Sequence, residues 1–122
     1  MHEYTIGKSI MDTLINLKKQ YPNKRITKVT IIAGKLRQIL PQALFFYLDI
    51  LKKDTEFSKI EFIYKEKPVK IKCNKCNKIS KINELEFLCP LCGNYDIKVI
   101  SGNELLIESI EVEEDKNGNK SV

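Results

Sequence analysis

Apolar residues at helical spacing open the chain. They recur every three or four residues, at Ile6, Ile10, Leu14 and Leu17. Met11 and Ile15 lie next to this stripe and widen it. This spacing predicts one amphipathic helix from Tyr4 to about Gln20. Pro22 follows directly and ends it, because proline cannot continue a helix.

Three later segments alternate apolar and polar residues, as strands do. The first runs from Arg25 to Ala33 and is predicted to end at Gly34. The second covers 60–65 and the third 104–112. We therefore expect three strands in one sheet.

A second helix is predicted between the first two strands. Pro41 suits the first turn of a helix, and Leu44, Leu48 and Leu51 repeat at helical spacing as far as Lys53. The two helices are expected to cover the sheet.

Residues 68–98 have a different texture, with all four cysteines, several lysines and only short apolar pieces. The predicted fold class is α+β: a three-stranded sheet with two helices, and a zinc-ribbon lobe inserted between the second and third strands. The expected domains are an α/β domain of 1–67 with 99–113, and the lobe of 68–98. Residues 114–122 lack apolar periodicity and are expected to form a flexible tail.

Composition supports a soluble globular protein of 122 residues, with 43% hydrophobic and 30% charged residues. No apolar run reaches the about 18 residues that a membrane-spanning helix needs, and the first residues do not resemble a secretion signal. We expect a cytoplasmic protein without a membrane partner.

The net charge of +5 comes from 21 basic and 16 acidic residues. The basic residues are spread along the chain, and all but Arg25 and Arg37 are lysines. Nucleic-acid binders usually carry a denser basic stripe with interleaved aromatic residues. The pattern therefore favours a solvated lysine-rich surface, and no nucleic-acid partner is expected.

The cysteines form two C-x-x-C pairs separated by twelve residues, Cys73 with Cys76 and Cys89 with Cys92. Two such turns can supply four thiolates to one tetrahedral metal, which predicts structural Zn(II); an iron or iron–sulfur centre has similar spacing. Gly93 follows the second pair and Asn77 the first, both residue types that tolerate positive φ. A closed four-thiolate site has no open position for catalysis.

His2 is the only histidine, and it lies directly before the first helix. With no second histidine and no phosphate-binding loop, the sequence does not predict an enzyme. A terminal histidine is usually a plain surface residue. The Met1 amine, the His2 imidazole and nearby backbone amides can, however, together offer the planar nitrogen ligands that suit Ni(II) or Cu(II).

Four features together resemble the HypA family of nickel metallochaperones for nickel–iron hydrogenase. These are Met-His-Glu at the start, "IAGKLRQILPQAL" after the first strand, CxxC…CPxCG, and "SGNELLIESIEVEE". The resemblance implies Ni(II) bound as cargo through His2, with Met1 and Glu3 as co-ligands, and structural Zn(II) held by the four cysteines. Some family members carry a further histidine near the zinc lobe, and this chain has none. Glu3 therefore has two candidate roles, a nickel ligand or a partner of the helix dipole.

The partners that the resemblance implies are a HypB-type GTPase and the hydrogenase large subunit. Urease is a second acceptor in some organisms, and a homodimer stays an open alternative. Two other readings of the residues remain: a zinc-ribbon nucleic-acid-binding protein and a structural zinc adaptor with an inert N-terminus. Both keep the zinc site and differ only in what the rest of the chain binds.

Overall fold

The computed structural model describes residues 2–83 and 86–114. Met1, residues 84 and 85, and the predicted tail from residue 115 onward lie outside the described residues. The described chain contains two α-helices, a short 3₁₀ turn at Lys35–Arg37 and six strands. In chain order these elements are α1 (Glu3–Gln20), β1 (Lys24–Gly34), α2 (Pro41–Lys52), β2 (Glu61–Lys67), β3 (Val69–Cys73), β4 (Ile79–Ile82), β5 (Ile97–Ser101) and β6 (Leu105–Glu114).

The strands form two separate three-stranded sheets. The first has the order β2–β1–β6 and the second the order β4–β3–β5. The three strands of the second sheet lie in sequence between β2 and β6. The predicted α+β class, with a cysteine-containing lobe inserted between the second and third strands of the main sheet, is confirmed.

The apolar stripe of α1 faces the core as its spacing predicts. Leu14 is fully buried and Met11 is 5% exposed, whereas Ile15 is 40% exposed, so the buried stripe is narrower than predicted. Gly7 is also buried and faces α2, where Leu48 and Leu51 lie nearest to its missing Cβ. Neither helix is long and apolar enough to cross a membrane.

Strand β1, the middle strand of the first sheet, contributes fully buried residues to the hydrophobic core. Val29 and Ile31 alternate on its buried face, and Leu44 and Leu48 of α2 are fully buried as well. Pro41 is the first residue of α2, where its missing N–H has no intrahelical acceptor to lose.

The chain divides into two compact units. Unit 1 comprises 1–31, 39–64 and 107–122, and unit 2 comprises 32–38 and 65–106. Unit 2 is therefore longer than the 68–98 lobe that the sequence texture suggests. Residues 32–38 belong to it because the Gly34 N–H donates to the Glu104 carbonyl (2.7 Å) and the Leu36 N–H to the Gly102 carbonyl (2.9 Å).

Strand β6 extends to Glu114, the first residue of the segment that the sequence predicts as a tail. Glu113 and Glu114 are the last residues of β6, where their carboxylates pair with Arg25 and Lys24. Charge pairing thus continues the strand beyond its last apolar residue, Val112.

Candidate metal centre

The four cysteines come together in unit 2, where their sulfur atoms all lie within 4.8 Å of one another. The Cys73 and Cys92 sulfurs are 3.6 Å apart, and those of Cys76 and Cys89 are 3.7 Å apart. Metal–sulfur bonds of about 2.3 Å in a tetrahedron place the sulfurs about 3.8 Å apart. The cluster therefore fits a four-thiolate zinc site.

A tight turn holds the first cysteine pair. The Cys73 N–H donates to the Lys78 carbonyl (3.0 Å), and the Asn77 N–H donates back to the Cys73 carbonyl (2.9 Å). Asn77 has a φ of 61°, in the left-handed region. The turn reverses the chain so that both thiols of the pair face the same point.

The second pair repeats this turn. The Cys89 N–H donates to the Asn94 carbonyl (2.9 Å) and the Gly93 N–H to the Cys89 carbonyl (2.7 Å), at the same spacing as in the first turn. Gly93 has a φ of 74°. The positive φ that the sequence predicts after each pair is confirmed at both positions.

Backbone N–H groups favour the thiolate form of the first cysteine in each pair. The Cys76 N–H lowers the pKa of Cys73 to about 7; burial opposes this, and the Lys75 N–H adds to it. The pKa of Cys89 is also lowered, chiefly by the Cys92 N–H and against burial. These two thiols therefore have more thiolate character than the other two, and the thiolate is the form that binds a metal.

The second cysteine of each pair holds its proton more tightly. The Lys78 N–H lowers the pKa of Cys76, but burial and the neighbouring thiols outweigh it, so the pKa is raised. At Cys92 the Asn94 N–H lowers the pKa, but the Cys73 thiol and burial raise it to about 11. A bound cation is what makes all four sulfurs thiolates together.

A pair of hydrogen bonds between Asn74 and Asp96, for which the sequence gives no signal, stabilises the first turn. The Asn74 side-chain amide donates to the Asp96 carboxylate (3.0 Å), and the Asn74 N–H donates to the Asp96 carbonyl (2.9 Å). Asn74 directly follows Cys73, and Asp96 directly precedes β5. Only the folded chain shows that these two residues meet, since twenty-one residues separate them.

Two glycines, Gly34 and Gly102, allow two backbone segments of unit 2 to approach each other closely just before β6 begins. A Cβ on Gly34 would lie 2.0 Å from the Gly102 carbonyl oxygen. Gly102 has a φ of 109°, and a Cβ there would lie 2.7 Å from the Val69 Cα. The Arg37 guanidinium donates to the Asn103 carbonyl (2.9 Å) across the same contact. The glycines of the "IAGK" and "SGNE" segments are thus required by a backbone-to-backbone approach.

Glu104 adds a hydrogen bond and an ion pair beside the contact between Gly34 and Gly102. Its carboxylate accepts the Gly102 N–H (2.8 Å) and lies 3.6 Å from the Lys67 ammonium. The Glu104 N–H has the largest effect and lowers the pKa of this carboxyl; burial opposes it, and the Gly102 N–H and Lys67 add to the lowering. The carboxylate is therefore stabilised in its charged form.

The N-terminal candidates lie in unit 1. His2 is the N-cap residue of α1, and its carbonyl accepts the Ile6 N–H (3.0 Å). Its side chain is exposed and makes no capping hydrogen bond. Met1 lies outside the described residues.

Glu3 begins α1 and is half-buried. One of its carboxylate oxygens lies 3.5 Å from the Leu40 N–H, at the N-cap of α2. The carboxylate thus lies near the N-terminal ends of two helices, where a negative charge is favoured.

Comparison with known proteins identifies one family across almost the whole chain. Residues 1–112 match the family model described as "HypA: Hydrogenase/urease nickel incorporation, metallochaperone, hypA". A hydrogenase maturation factor HypA from Caldanaerobacter subterraneus subsp. tengcongensis is 33% identical over 114 residues, covering 93% of this chain and 100% of the relative. The corresponding factor from Aquifex aeolicus is 34% identical over 115 residues, covering 94% and 100%.

Two solved structures share the fold. The solution structure of the Ni metallochaperone HypA from Helicobacter pylori has a TM-score of 0.64 at 19% identity, covering 91% of this chain and 97% of that one. A second solution structure of a HypA protein has a TM-score of 0.69 at 19% identity, covering 93% and 97%. At this identity the likeness supports the architecture of two helices and two small sheets.

Proposed function

We propose a nickel-delivery role from the premise that this chain belongs to the HypA family of metallochaperones for nickel incorporation. The family's function is hydrogenase maturation. The observation that carries the proposal is the match over residues 1–112, which includes both the His2 terminus and the four-cysteine cluster. The remaining question is which residues hold each metal.

Ni(II) is the cargo, and we assign it to the N-terminus. The ligands are the His2 imidazole, the Met1 amine and backbone amide nitrogens at His2 and Glu3, a nitrogen set that suits square-planar nickel. The His2 imidazole is exposed and is not used for capping, so it is accessible to an incoming ion. Because the amine and the imidazole must lose protons to bind, affinity falls on acidification.

The start of α1 supports amide ligation for a physical reason. The first N–H groups of a helix have no carbonyl acceptor within the helix, so replacing such a proton with a metal breaks no intrahelical bond. The positive end of the helix dipole also favours anionic groups, such as a deprotonated amide nitrogen. His2 and Glu3 occupy these positions.

Zn(II) is assigned to Cys73, Cys76, Cys89 and Cys92, where it would act as a structural cross-link. The fit rests on the sulfur spacing and on the repeated turns. Four thiolates leave no ligand position for water or substrate, so we assign no catalytic role to the site and propose that the chain is a carrier and not an enzyme. The binding free energy of the metal stabilises the second unit.

Partner assignments follow from the family. We propose a HypB-type GTPase that cooperates in delivery and the nickel–iron hydrogenase large subunit as acceptor, with urease as a second acceptor and a homodimer as an alternative assembly. The proposed location is the cytoplasm, with no nucleic-acid or membrane partner.

The test is a calorimetric nickel titration of zinc-loaded protein with its native terminus, compared with His2→Ala. We expect one Ni(II) per chain and at least about a hundredfold weaker binding in the variant, equivalent to about 2.7 kcal/mol. Zinc content, measured on both samples by atomic emission, should stay at one per chain.

An N-terminally extended protein serves as the second test variant, because it keeps His2 and removes the free Met1 amine. We expect it to bind nickel as weakly as His2→Ala does. Unchanged affinity in either protein would contradict the terminal site, whereas loss of zinc would show that the change had disturbed the fold.

A further inference from the structure

The net positive charge of the protein resides in unit 2. Residues 32–38 and 65–106 contain ten basic and five acidic residues, whereas the rest of the chain contains eleven of each. The even spread of lysines in the sequence hides this division, because unit 2 is assembled from two separated segments. Unit 2 therefore carries the whole excess of +5.

Strand register places four of these lysines on one side of the second sheet. Lys70 lies opposite Lys81 in β4, and Lys72 lies between Lys98 in β5 and Ile79 in β4. Directly opposed residues point to the same face of a sheet. We call Lys70, Lys72, Ile79, Lys81 and Lys98 the lysine face.

The opposite side of the same sheet is its core. Val69, Ile71 and Cys73 alternate with the lysines of β3 and are fully buried. All five residues of the lysine face are exposed, and Ile79 is 60% exposed. The face is therefore an exposed surface that no described part of the chain covers.

Folding alone does not favour this arrangement, because like charges directly opposite each other destabilise a sheet. Within residues 2–83 and 86–114, none of the four lysines has an ion-pair or hydrogen-bond partner. The first sheet shows the contrast: Lys24, Arg25 and Lys28 of β1 each pair with a glutamate of β6. Among the residues that the structure describes, these β1 cations are paired and the four lysines of the second sheet are not.

We propose that the lysine face is a docking surface for an acidic segment of a partner protein. Lysines two residues apart on a strand are separated by about 6.6 Å, and opposed ones by about 5 Å, a spacing that carboxylates on an extended segment can match. Ile79 adds an apolar contact beside Lys72, on the edge strand β4. The face contains no arginine and no aromatic ring, the groups that commonly bind guanine edges or stack on bases, so an acidic protein segment fits it better than a nucleic acid does.

The experiment is an amide NMR titration of the ¹⁵N-labelled, zinc-loaded full chain with a peptide of about eight glutamates, with an oligothymidylate of similar charge as the comparison probe. We expect the peptide to shift amides of β3, β4 and β5, and Lys70→Ser with Lys72→Ser to weaken binding about fivefold or more, as for two exposed ion pairs. The matched control, Lys8→Ser with Lys19→Ser on α1, makes the same change in net charge. It should weaken binding less than about twofold.

Three results would overturn the proposal: no shifts in these strands, equal weakening in both double variants, or tighter binding of the oligothymidylate at about 0.15 M salt. Lys72→Glu is the second variant, and it places a negative charge at position 72, opposite the positive charge of Lys98. It should abolish peptide binding while raising the thermal midpoint, so weaker binding cannot be attributed to unfolding. No nickel is present in any arm, so the result is independent of the proposed delivery role.

Discussion

Gly34→Ala tests the close backbone approach of Gly34 to Gly102 in unit 2. The new Cβ would lie 2.0 Å from the Gly102 carbonyl oxygen and 2.6 Å from the Asn103 nitrogen, where carbon contacts normally require about 3.5 Å. The segments must separate by more than about 1 Å, which breaks the Gly34–Glu104 and Leu36–Gly102 hydrogen bonds. Two such bonds contribute about 1–3 kcal/mol, and residual strain adds to this, so we expect a loss of about 2–4 kcal/mol in the free energy of unfolding.

Gly7→Ala is the matched control, because the same chemical change there should stabilise the protein. Its Cβ would lie 3.5 Å from Leu51, 3.7 Å from Leu48 and 3.8 Å from Leu44, which are ordinary contacts. Alanine inside a helix is favoured over glycine by about 0.5–1 kcal/mol. The two variants should therefore shift the unfolding free energy in opposite directions.

Urea unfolding of the zinc-loaded protein, followed by far-UV circular dichroism, measures both values. The reasoning fails if Gly34→Ala stays within about 0.5 kcal/mol of the unsubstituted protein, or if Gly7→Ala loses as much stability. The first result would mean that the contact at Gly34 relaxes without breaking its hydrogen bonds. The second would mean that a Gly→Ala change lowers stability even where the new Cβ makes only ordinary contacts.

Three other substitutions separate structure from delivery. Cys73→Ala should reduce zinc to well below one per chain and collapse the amide resonances of residues 65–106, while those of α1 persist; a folded, zinc-loaded variant would contradict the four-thiolate site. Glu104→Gln should cost about 1 kcal/mol at pH 7. Because the Glu104 pKa is lowered in the folded state, the difference in unfolding free energy between the two proteins should be complete above the ordinary carboxyl range and vanish as the pH falls through the lowered pKa. Urea titrations at neutral and at strongly acidic pH measure this difference. Equal differences at the two pH values would refute the prediction. Glu3→Gln should lower stability by about 0.5 kcal/mol and change nickel affinity less than about threefold; a tenfold loss in calorimetry would make its carboxylate a ligand.

The sequence was informative wherever one local signal decided the structure. The α1 stripe and Pro41 located both helices to within a residue at each end, because helical spacing and proline geometry act locally. The C-x-x-C spacing and the residues after it likewise predicted the two turns, since a positive φ at Asn77 and Gly93 depends on the residue type at each position. Local rules were enough for these features.

The strands of the second sheet could not be predicted in the same way. β4 has four residues, and the alternation in β3 is visible only if Cys73 counts as an apolar position. The approach of Gly34 to Gly102 joins residues that are far apart in sequence, so no local pattern reveals it. The sequence offered Gly34 as the end of a strand and as part of a family resemblance, and Gly102 only as part of that resemblance. The close approach that explains both glycines came from the structure.

The position of Cys73 at the end of β3 has a consequence for folding. Val69, Ile71 and Cys73 share the buried face, so a one-residue slip of β3 would bury Lys70 and Lys72 and turn the Cys73 sulfur away from the other three. A metal bound by all four thiolates therefore excludes the one-residue slips of this short sheet. In a newly made chain, the arrival of zinc would act together with the burial of Val69 and Ile71 to select the correct strand alignment.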